Sequence, residues 1–328
     1  MKLPLQVILA ITLVATLLIA GCINPPDGEK TDIRIGYQPS THQVAHMIAM
    51  EKGWWDKDLA PYGVKNVTDF EFPTGAPEMQ AMLAGDLDIA YVGAAPVLSA
   101  VSTGLDAKII AGVNTQGSDL VLRTGLNYTD PQSLKGLKIA TFQAGTIQDT
   151  VLRNWLIAND IDPDKDVEIL GMGPGDAVTA ITAGKVDAVF LPHPSPSIIE
   201  SSGSGRIIVQ SGEMYPGHTC CVLVASGTMI REHPEIVEQI IRTHIKATDF
   251  AIENPDEAAA IYAAKTGANE TVVKESFENW DGALVSDPAP IVDPVLEYAK
   301  IQYDLGYIQK PLTKDDLFDL SLYQKATA

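Results

Sequence analysis

The chain has 328 residues, 46% of them hydrophobic, and 23 basic against 42 acidic residues give it a net charge of −19. That length and apolar content are typical of an ordered α/β protein with two domains and a sizeable core. Proteins that bind nucleic acid usually present a clustered basic face. No such cluster occurs here, so the composition argues against a nucleic-acid partner.

The N-terminal segment has the features of a secretory signal. Lys2 precedes an apolar run that extends to Ala20, so we expect residues 1–21 to be a signal peptide. Cys22 follows Ala20-Gly21, a pattern that resembles a lipobox, in which the cysteine is lipid-modified and becomes the mature N-terminus. The alternative is an uncleaved membrane anchor. Both place the body outside the membrane and tethered to it, with residues 22–31 as a flexible linker.

The body of the chain repeats a strand–turn–helix plan. The segment "IRIGYQPSTHQVAHMIAMEKGWW" from Ile33 has its counterpart in "LKIATFQAGTIQDTVLRNWL" from Leu137, and "AGDLDIAYVG" from Ala84 returns as "AGKVDAVFLP" from Ala183. Strands that alternate with helices of this length indicate βαβ units and mostly parallel sheets. We therefore predict two α/β lobes of similar design. Asp88 and Asp187, which recur in both copies, are expected to brace the turn before their strands.

Lobe boundaries follow from where the repeated pattern ends. We expect lobe 1 to comprise residues 32–122 and 226–328 and lobe 2 residues 123–225, with chain crossings near Leu120–Thr129 and Cys220–Gly227. From His233 onward apolar residues recur at helical spacing. These C-terminal helices are predicted to return to lobe 1.

Candidate ligand contacts lie in the loops that lead from strands into helices. Ligands of parallel α/β sheets bind beyond the carboxyl ends of the strands, and helix N-termini suit anions. These loops carry hydroxyls, amides, small residues and two histidines but almost no charge, which favours a small polar or anionic ligand. The alternative is that residues such as Ser40, Thr41 and Thr146 are helix caps and nothing more. The predicted contacts are Gln38, Ser40, Thr41, His42, Thr74, Gly93, Ala94, Asn114, Gln143, Gly145, Thr146 and His193.

Motifs for catalysis or metal binding are not found in the sequence. It contains no nucleophile elbow, zinc-protease helix, Walker loop or reactive Cys/His pair by spacing. Cys220 and Cys221 lie in an apolar stretch and are expected to be two core thiols. His42 and His46 share a helix spacing, but the sequence offers no third ligand beside them. We therefore predict no catalytic residues, no cofactor and no metal.

Several sequence segments together resemble those of one protein family. They are "IRIGYQPS", "EKGWW", "FPTGAPEMQAMLAGDLDIAYVGAAPVLSA" and "KATDFAIENPDEAA". The resemblance is to the nitrate/taurine/alkanesulfonate type of solute-binding protein that serves ABC transporters. It implies a type II periplasmic-binding-protein fold with two hinge crossings and a ligand cleft between the lobes. By position, the loops Gln38–His42, Gly93–Ala95 and Gln143–Thr146 and the residue Asn114 would face the ligand. Gln148 stands where relatives often place a histidine or another polar group, so the ligand is left open.

The resemblance also implies a function. We expect an extracytoplasmic lipoprotein, anchored to the cell membrane through Cys22 and monomeric, that captures a small oxyanion by hinge closure. It would then deliver the oxyanion to an ABC permease. The alternative is an enzyme or sensor that reuses the fold, for example in pyrimidine-precursor binding or synthesis. A binding protein predicts saturable affinity without turnover, whereas an enzyme predicts product formation.

Overall fold

The computed structural model describes residues 30–328. The predicted signal peptide, Cys22 and most of the predicted linker lie outside the described residues. Thr31–Ala328 form one compact unit. Among residues 30–328, no helix combines the length and apolarity needed to cross a membrane.

Two β-sheets organise the described residues. Their strands are β1 (Asp32–Tyr37), β2 (Asn66–Glu71), β3 (Ile89–Gly93), β4 (Ala107–Thr115), β5 (Ser118–Arg123), β6 (Lys138–Thr141), β7 (Glu168–Gly171), β8 (Ala188–Pro192), β9 (Gly205–Gln210), β10 (Thr219–Ser226) and β11 (Ala283–Leu284).

Helices connect and cover these strands. They are α1 (Val44–Glu51), α2 (Trp54–Leu59), α3 (Gly75–Leu83), α4 (Ala94–Ser102), α5 (Ile147–Ala158), α6 (Pro174–Thr182), α7 (Ser195–Ser201), α8 (Ser211–Met214), α9 (Gly227–Glu232), α10 (Pro234–Glu253), α11 (Pro255–Thr266), α12 (Glu270–Asn279), α13 (Val292–Asp304), α14 (Lys314–Leu317) and α15 (Leu320–Thr327). Short 3-10 turns cover Thr41–Gln43, Ala60–Tyr62, Pro131–Leu134 and Ala289–Ile291.

The first sheet has the order β11-β4-β10-β3-β1-β2 and the second β7-β6-β8-β5-β9. Both are mixed rather than mostly parallel. The βαβ units pair in parallel, β1 with β2 and β3, and β6 with β7 and β8. The strands that follow each chain crossing, β5 and β10, insert antiparallel to their neighbours. The repeated sequence pattern reports the βαβ units and carries no information on the direction of these inserted strands.

The duplicated corner has the predicted role in both sheets. The Asp88 carboxylate accepts from the backbone N–H of Arg34 at 2.9 Å and from its guanidinium at 3.1 and 3.2 Å. The Asp187 carboxylate accepts from the backbone N–H of Lys138 at 3.1 Å and from the Arg123 guanidinium at 3.0 Å. Each aspartate thus ties the start of one strand to the neighbouring parallel strand. The bracing prediction is confirmed.

Sheet membership places the two crossings earlier than the predicted boundaries at 122/123 and 225/226. Strand β5 begins at Ser118 and belongs to the second sheet, so the first crossing is the two-residue link 116–117. Strand β10 belongs to the first sheet, so the second crossing runs through residues 211–218. Both strands are almost continuously buried, and an apolar run does not say which sheet buries it.

The C-terminal helices contact elements of both sheets. Helix α10 packs against α1 and α2, which flank the first sheet. Helices α12 and α13, however, also reach α7 and α5 beside the second sheet. Gln302 on α13 donates from Nε2 to the carbonyl of Gly145 at 2.9 Å. This last part of the chain therefore contacts both halves of the molecule.

Candidate functional site

A cavity lies where the carboxyl ends of strands from the two sheets meet. Its volume is about 30 Å³, room for roughly two or three water molecules at ~10–15 Å³ each. The lining residues come from the segments at the carboxyl ends of β1, β2, β3, β6, β7 and β8 and from the start of β10. They are Gln38, Pro39, Ser40, His42, Pro73, Gly93, Pro96, Phe142, Ile147, Gln148, Pro174, Pro192, His193, Ser195, Cys220 and Cys221.

The cavity wall combines helix starts with neutral polar groups. The first turns of α4, α5 and α6 supply Pro96, Ile147 and Pro174 to it. A helix N-terminus carries unpaired N–H groups and a partial positive charge. Within the described residues, no Asp, Glu, Lys or Arg side chain lines the cavity. The electrostatics therefore favour a small electronegative guest without offering it a formal counter-charge.

A buried acid lies behind this wall. The Gln38 amide donates to the Glu78 carboxyl at 2.5 Å, and Glu78 is fully buried. Burial raises the pKa of Glu78 well above its usual value, and the Gln38 hydrogen bond opposes that rise in part. The neutral form is therefore favoured, which limits the negative charge placed beside the cavity.

His42 is fixed by contacts on three sides. Its Nε2 lies 2.7 Å from the carbonyl oxygen of Gly117, which identifies Nε2 as the protonated nitrogen. The ring stacks on Trp280 with centroids 5.0 Å apart. Its Nδ1, left as the acceptor, lies 3.4 Å from Cys220 Sγ. His42 thus directs its second ring nitrogen at the thiols.

Two adjacent thiols face this same nitrogen because strand β10 is irregular there. Thr219 pairs with Thr115 and Cys221 with Asn114, so Cys220 is the extra residue of a β-bulge. The bulge interrupts the alternation of side chains, and both cysteines line the cavity with their sulfurs 3.8 Å apart. The pKa of the Cys221 thiol lies below its ordinary value chiefly because of its contact with Cys220, while the pKa of Cys220 is raised by the same contact and by burial.

His193 reaches the cavity from the second sheet, but both ring nitrogens have neighbours. Nε2 lies 2.8 Å from Asp119 Oδ2 and Nδ1 lies 2.9 Å from Ser276 Oγ. The sequence of contacts from Ser276 through His193 to Asp119 resembles a serine–histidine–aspartate triad. Ser276 and Asp119 are 0% exposed and do not line the cavity, so the serine is not presented to a substrate there. The carbonyl of His193 accepts from the backbone N–H of Thr41 at 3.2 Å, a direct contact between the two halves.

Five of the predicted contacts line the cavity: Gln38, Ser40, His42, Gly93 and His193. The other seven predicted contacts do not line it; they are Thr41, Thr74, Ala94, Asn114, Gln143, Gly145 and Thr146. Thr146 caps helix α5, where its hydroxyl accepts from Asp149 N, as the capping alternative held. Asn114 accepts from the backbone N–H of Cys221 at 3.0 Å and so supports the bulge. Ser40 precedes a 3-10 turn without a side-chain capping bond.

The sequence reading missed several lining residues. Phe142 and Ile147 are apolar and adjoin predicted polar contacts, which is the one signal available for them. Cys220 and Cys221 were predicted to be core thiols, because a β-bulge leaves no recognisable pattern in an apolar stretch of sequence. His46, which is four residues after His42, lies 3.5 Å from Asp69 through its Nε2 and does not belong to the cluster of His42 with the two thiols.

Comparisons with known proteins agree on one family. Residues 26–266 match the model of the NMT1-like family. The chain is 30% identical over 96% of both chains to a Bacillus subtilis protein whose name assigns it to binding aliphatic sulfonates. Its fold matches the alkanesulfonate-binding protein SsuA from Xanthomonas axonopodis, solved with MOPS (TM-score 0.78, 20% identity, 89% of this chain and 99% of that one). It also matches the nitrate-binding protein NrtA from Synechocystis (TM-score 0.79, 17% identity, 91% and 89%). With the family model covering most of the described body, this chain belongs to the NMT1-like family.

Proposed function

We propose that this chain is the extracytoplasmic solute-binding component of an ABC importer and that it captures a small oxyanion such as a sulfonate. The observation that carries the proposal is the cavity between the two sheets, which is free of charged side chains and bordered by helix N-termini. The names of its relatives, which bind sulfonates and nitrate, support the same ligand class.

The energetics of such a site are adequate for capture. A hydrogen bond to a charged ligand contributes about 1.5–3 kcal/mol. Several such bonds, less the cost of association, suffice for micromolar binding at about −8 kcal/mol. The small volume of the cavity restricts the guest in this conformation to a compact group such as an oxyanion headgroup.

Capture and release would use a hinge at the two crossings. Donors on both sides of the cavity, for example Ser40 and Ser195, stabilise the closed arrangement when the ligand bridges them. An ABC permease would then distinguish loaded from empty protein. We further propose that the protein acts as a monomer without turnover and that a lipid on Cys22 holds it at the membrane surface.

Ligand binding tests this function directly. Methanesulfonate, taurine and nitrate are titrated separately by calorimetry and in thermal unfolding. At a ligand concentration a hundredfold above Kd, the free energy of unfolding rises by about 2.7 kcal/mol. Ser195→Ala, which removes a hydroxyl at the cavity, lowers affinity for the bound anion by about tenfold or more. Ser201→Ala, at the other end of the same helix, is the matched control and leaves affinity unchanged.

Two outcomes would contradict the proposal. One is the absence of saturable binding for every small oxyanion tested. The other is conversion of the ligand to a product, detected by mass spectrometry after incubation, which would favour the enzyme alternative. Radiolabelled lipid precursor incorporated by the parent chain but not by Cys22→Ser tests the anchor separately.

A further inference from the structure

Three metal-ligating side chains converge at one wall of the cavity. His42, Cys220 and Cys221 each offer one ligand atom, and these atoms all lie within 4.8 Å of one another. All three residues are buried, with exposures of 1%, 2% and 4%. They come together although His42 and Cys220 are 178 residues apart in the chain. The fold, rather than sequence spacing, assembles this donor set.

Two of the three distances between the ligand atoms match those of a tetrahedral centre. With metal–sulfur bonds of about 2.3 Å and metal–nitrogen bonds of about 2.0–2.1 Å, ideal tetrahedral angles place two sulfur ligands about 3.8 Å apart and sulfur and nitrogen about 3.5 Å apart. The two sulfurs here are separated by 3.8 Å, and Cys220 Sγ lies 3.4 Å from His42 Nδ1. The third pair, Cys221 Sγ and the His42 nitrogen, lies within 4.8 Å, so any closure that a metal ion requires falls on that pair.

The surrounding groups orient the donors as they do in metal sites. A histidine ligand usually donates its second ring N–H to a carbonyl or carboxylate, which fixes the tautomer. His42 does so to Gly117 through Nε2. The amide of Gln43 donates to Cys221 Sγ at 3.7 Å, and that of Gln148 to Cys220 Sγ at 3.9 Å. N–H donors of this kind stabilise thiolate sulfur.

We propose that His42, Cys220 and Cys221 bind one thiophilic metal ion, of the Zn²⁺ or Cu⁺ class, and leave its fourth coordination position open toward the cavity. Two sulfurs and one imidazole form a soft donor set that selects such ions over Mg²⁺ or Ca²⁺. Because all three ligands line the cavity, a guest held there lies within reach of the open position. This inference concerns a different ligand from the proposed oxyanion and does not depend on it.

X-ray absorption of the zinc-loaded protein tests the donor set without any variant. Purified protein is treated with chelator under reducing conditions, then given one equivalent of ZnCl₂. We expect one ion per chain with two sulfur neighbours at about 2.3 Å and a nitrogen neighbour at about 2.0–2.1 Å. A zinc spectrum with oxygen and nitrogen neighbours alone would overturn the proposal.

Variants test which thiols take part. Cys220→Ser/Cys221→Ser and His42→Ala are compared with Cys22→Ser, which retains both buried thiols, and with His233→Ala, which removes a histidine elsewhere. Losing an outer contact to a metal ligand typically costs 10–100-fold in affinity, so losing a ligand itself is expected to cost more than about 100-fold. Circular dichroism confirms that each variant is folded. Equal zinc affinity in the parent and the double variant would overturn the proposal.

Two further measurements separate the remaining outcomes. Intact mass before and after reduction detects a Cys220–Cys221 disulfide, and a disulfide that persists in the reduced preparation with no zinc uptake would overturn the proposal. Oxyanion titration of the chelator-treated protein is carried out in parallel. Zinc binding with no oxyanion binding rejects the proposed function and leaves the metal site standing, whereas the opposite result rejects the metal site alone.

Discussion

Asp281 accepts a 2.9 Å hydrogen bond through Oδ1 from the backbone N–H of Gly117, the last residue of the first crossing. Its other oxygen accepts from the backbone N–H of Gly212 at 2.6 Å, within the second crossing. One carboxylate from the C-terminal part of the chain therefore ties both crossings together. Gln116 adds to this junction, since its side chain bonds the backbone of Asp281 and of Gly217.

Removing this carboxylate is expected to loosen the hinge. In Asp281→Ala, two backbone N–H groups lose their acceptor, and each such loss costs about 1–3 kcal/mol when the group stays away from water. We expect the free energy of unfolding, measured with urea, to fall by at least about 1 kcal/mol. The radius of gyration in small-angle scattering should also rise. Glu278→Ala, at an exposed residue nearby in the chain, is the control. An equal loss of stability in both variants would contradict the proposed role of Asp281 in holding the two crossings together.

Gly117 is predicted to be irreplaceable for a steric reason as well as a conformational one. Its φ is +85°, and a Cβ there would lie 2.1 Å from Trp280 Nε1 and 2.7 Å from His42 Nε2. Gly125 has a similar φ of +93°, with nothing within 4 Å of its Cβ position. Gly125→Ala should cost about 1–2 kcal/mol from the left-handed backbone alone. Gly117→Ala should cost about 1–3 kcal/mol more because of overpacking. Equal urea midpoints for the two variants would refute this difference.

Acid sensitivity is expected from His244. Burial lowers its pKa to about 4, although its hydrogen bond to the carbonyl of Gly112 opposes the shift. An unfolded histidine titrates near 6.5, so between about pH 6.5 and 4 the unfolded state binds the proton and the folded state does not. The contribution of His244 is therefore complete above pH 6.5 and is lost as the pH falls toward 4. Its full size is at most about 3 kcal/mol.

The test is the slope of unfolding free energy against pH. In His244→Gln that slope should decrease between pH 6.5 and 4, whatever the variant's stability at neutral pH. Ile252→Ala, at an exposed residue of the same helix without a titratable side chain, provides the comparison and should retain the parent slope. An unchanged slope in His244→Gln would show that other groups carry the acid sensitivity.

The duplicated aspartates are expected to be equivalent in stability. Asp88→Ala and Asp187→Ala each remove an acceptor for a strand N–H and for an arginine. We expect each to lower the free energy of unfolding by about 1–3 kcal/mol. Asp86→Ala, an exposed residue of the same corner, should change it by less than about 0.5 kcal/mol. A loss confined to one of the two corners would show that the repeat is not energetically equivalent.

The sequence predicted most of what depends on short-range periodicity. The repeat that contains Asp88 and Asp187 identified both βαβ units because strand and helix periods leave a local pattern. It also located the loops of Gln38, Ser40 and Gly93 at the cavity, since the carboxyl ends of parallel strands converge. The antiparallel insertion of β5 and β10 was not predictable, because a fully buried strand is apolar on both faces whichever way it runs.

That Cys220 and Cys221 both line the cavity was not predictable for a related reason. Its geometry depends on one extra residue in β10, which turns Cys220 toward the same side as Cys221. A bulge is set by the pairing of two strands distant in sequence, here β10 and β4, so single-sequence patterns do not report it. His42 reaches the two cysteines because the loop that follows β1 packs against strand β10. The absence of a spacing motif therefore says little about whether ligands meet in space.

Among residues 30–328, no arginine or lysine lines the cavity, and this has a consequence for how the protein would work in changing surroundings. Dissolved ions weaken attraction between formal charges far more than they weaken short contacts to fixed peptide dipoles in a buried site. The contacts between such dipoles and a guest would therefore have nearly the same strength in brackish and in dilute water. The strongly acidic exterior would slow the approach of anions at low ionic strength, so the dependence on environmental salinity would come from the outer surface of the protein and not from the contacts inside the site.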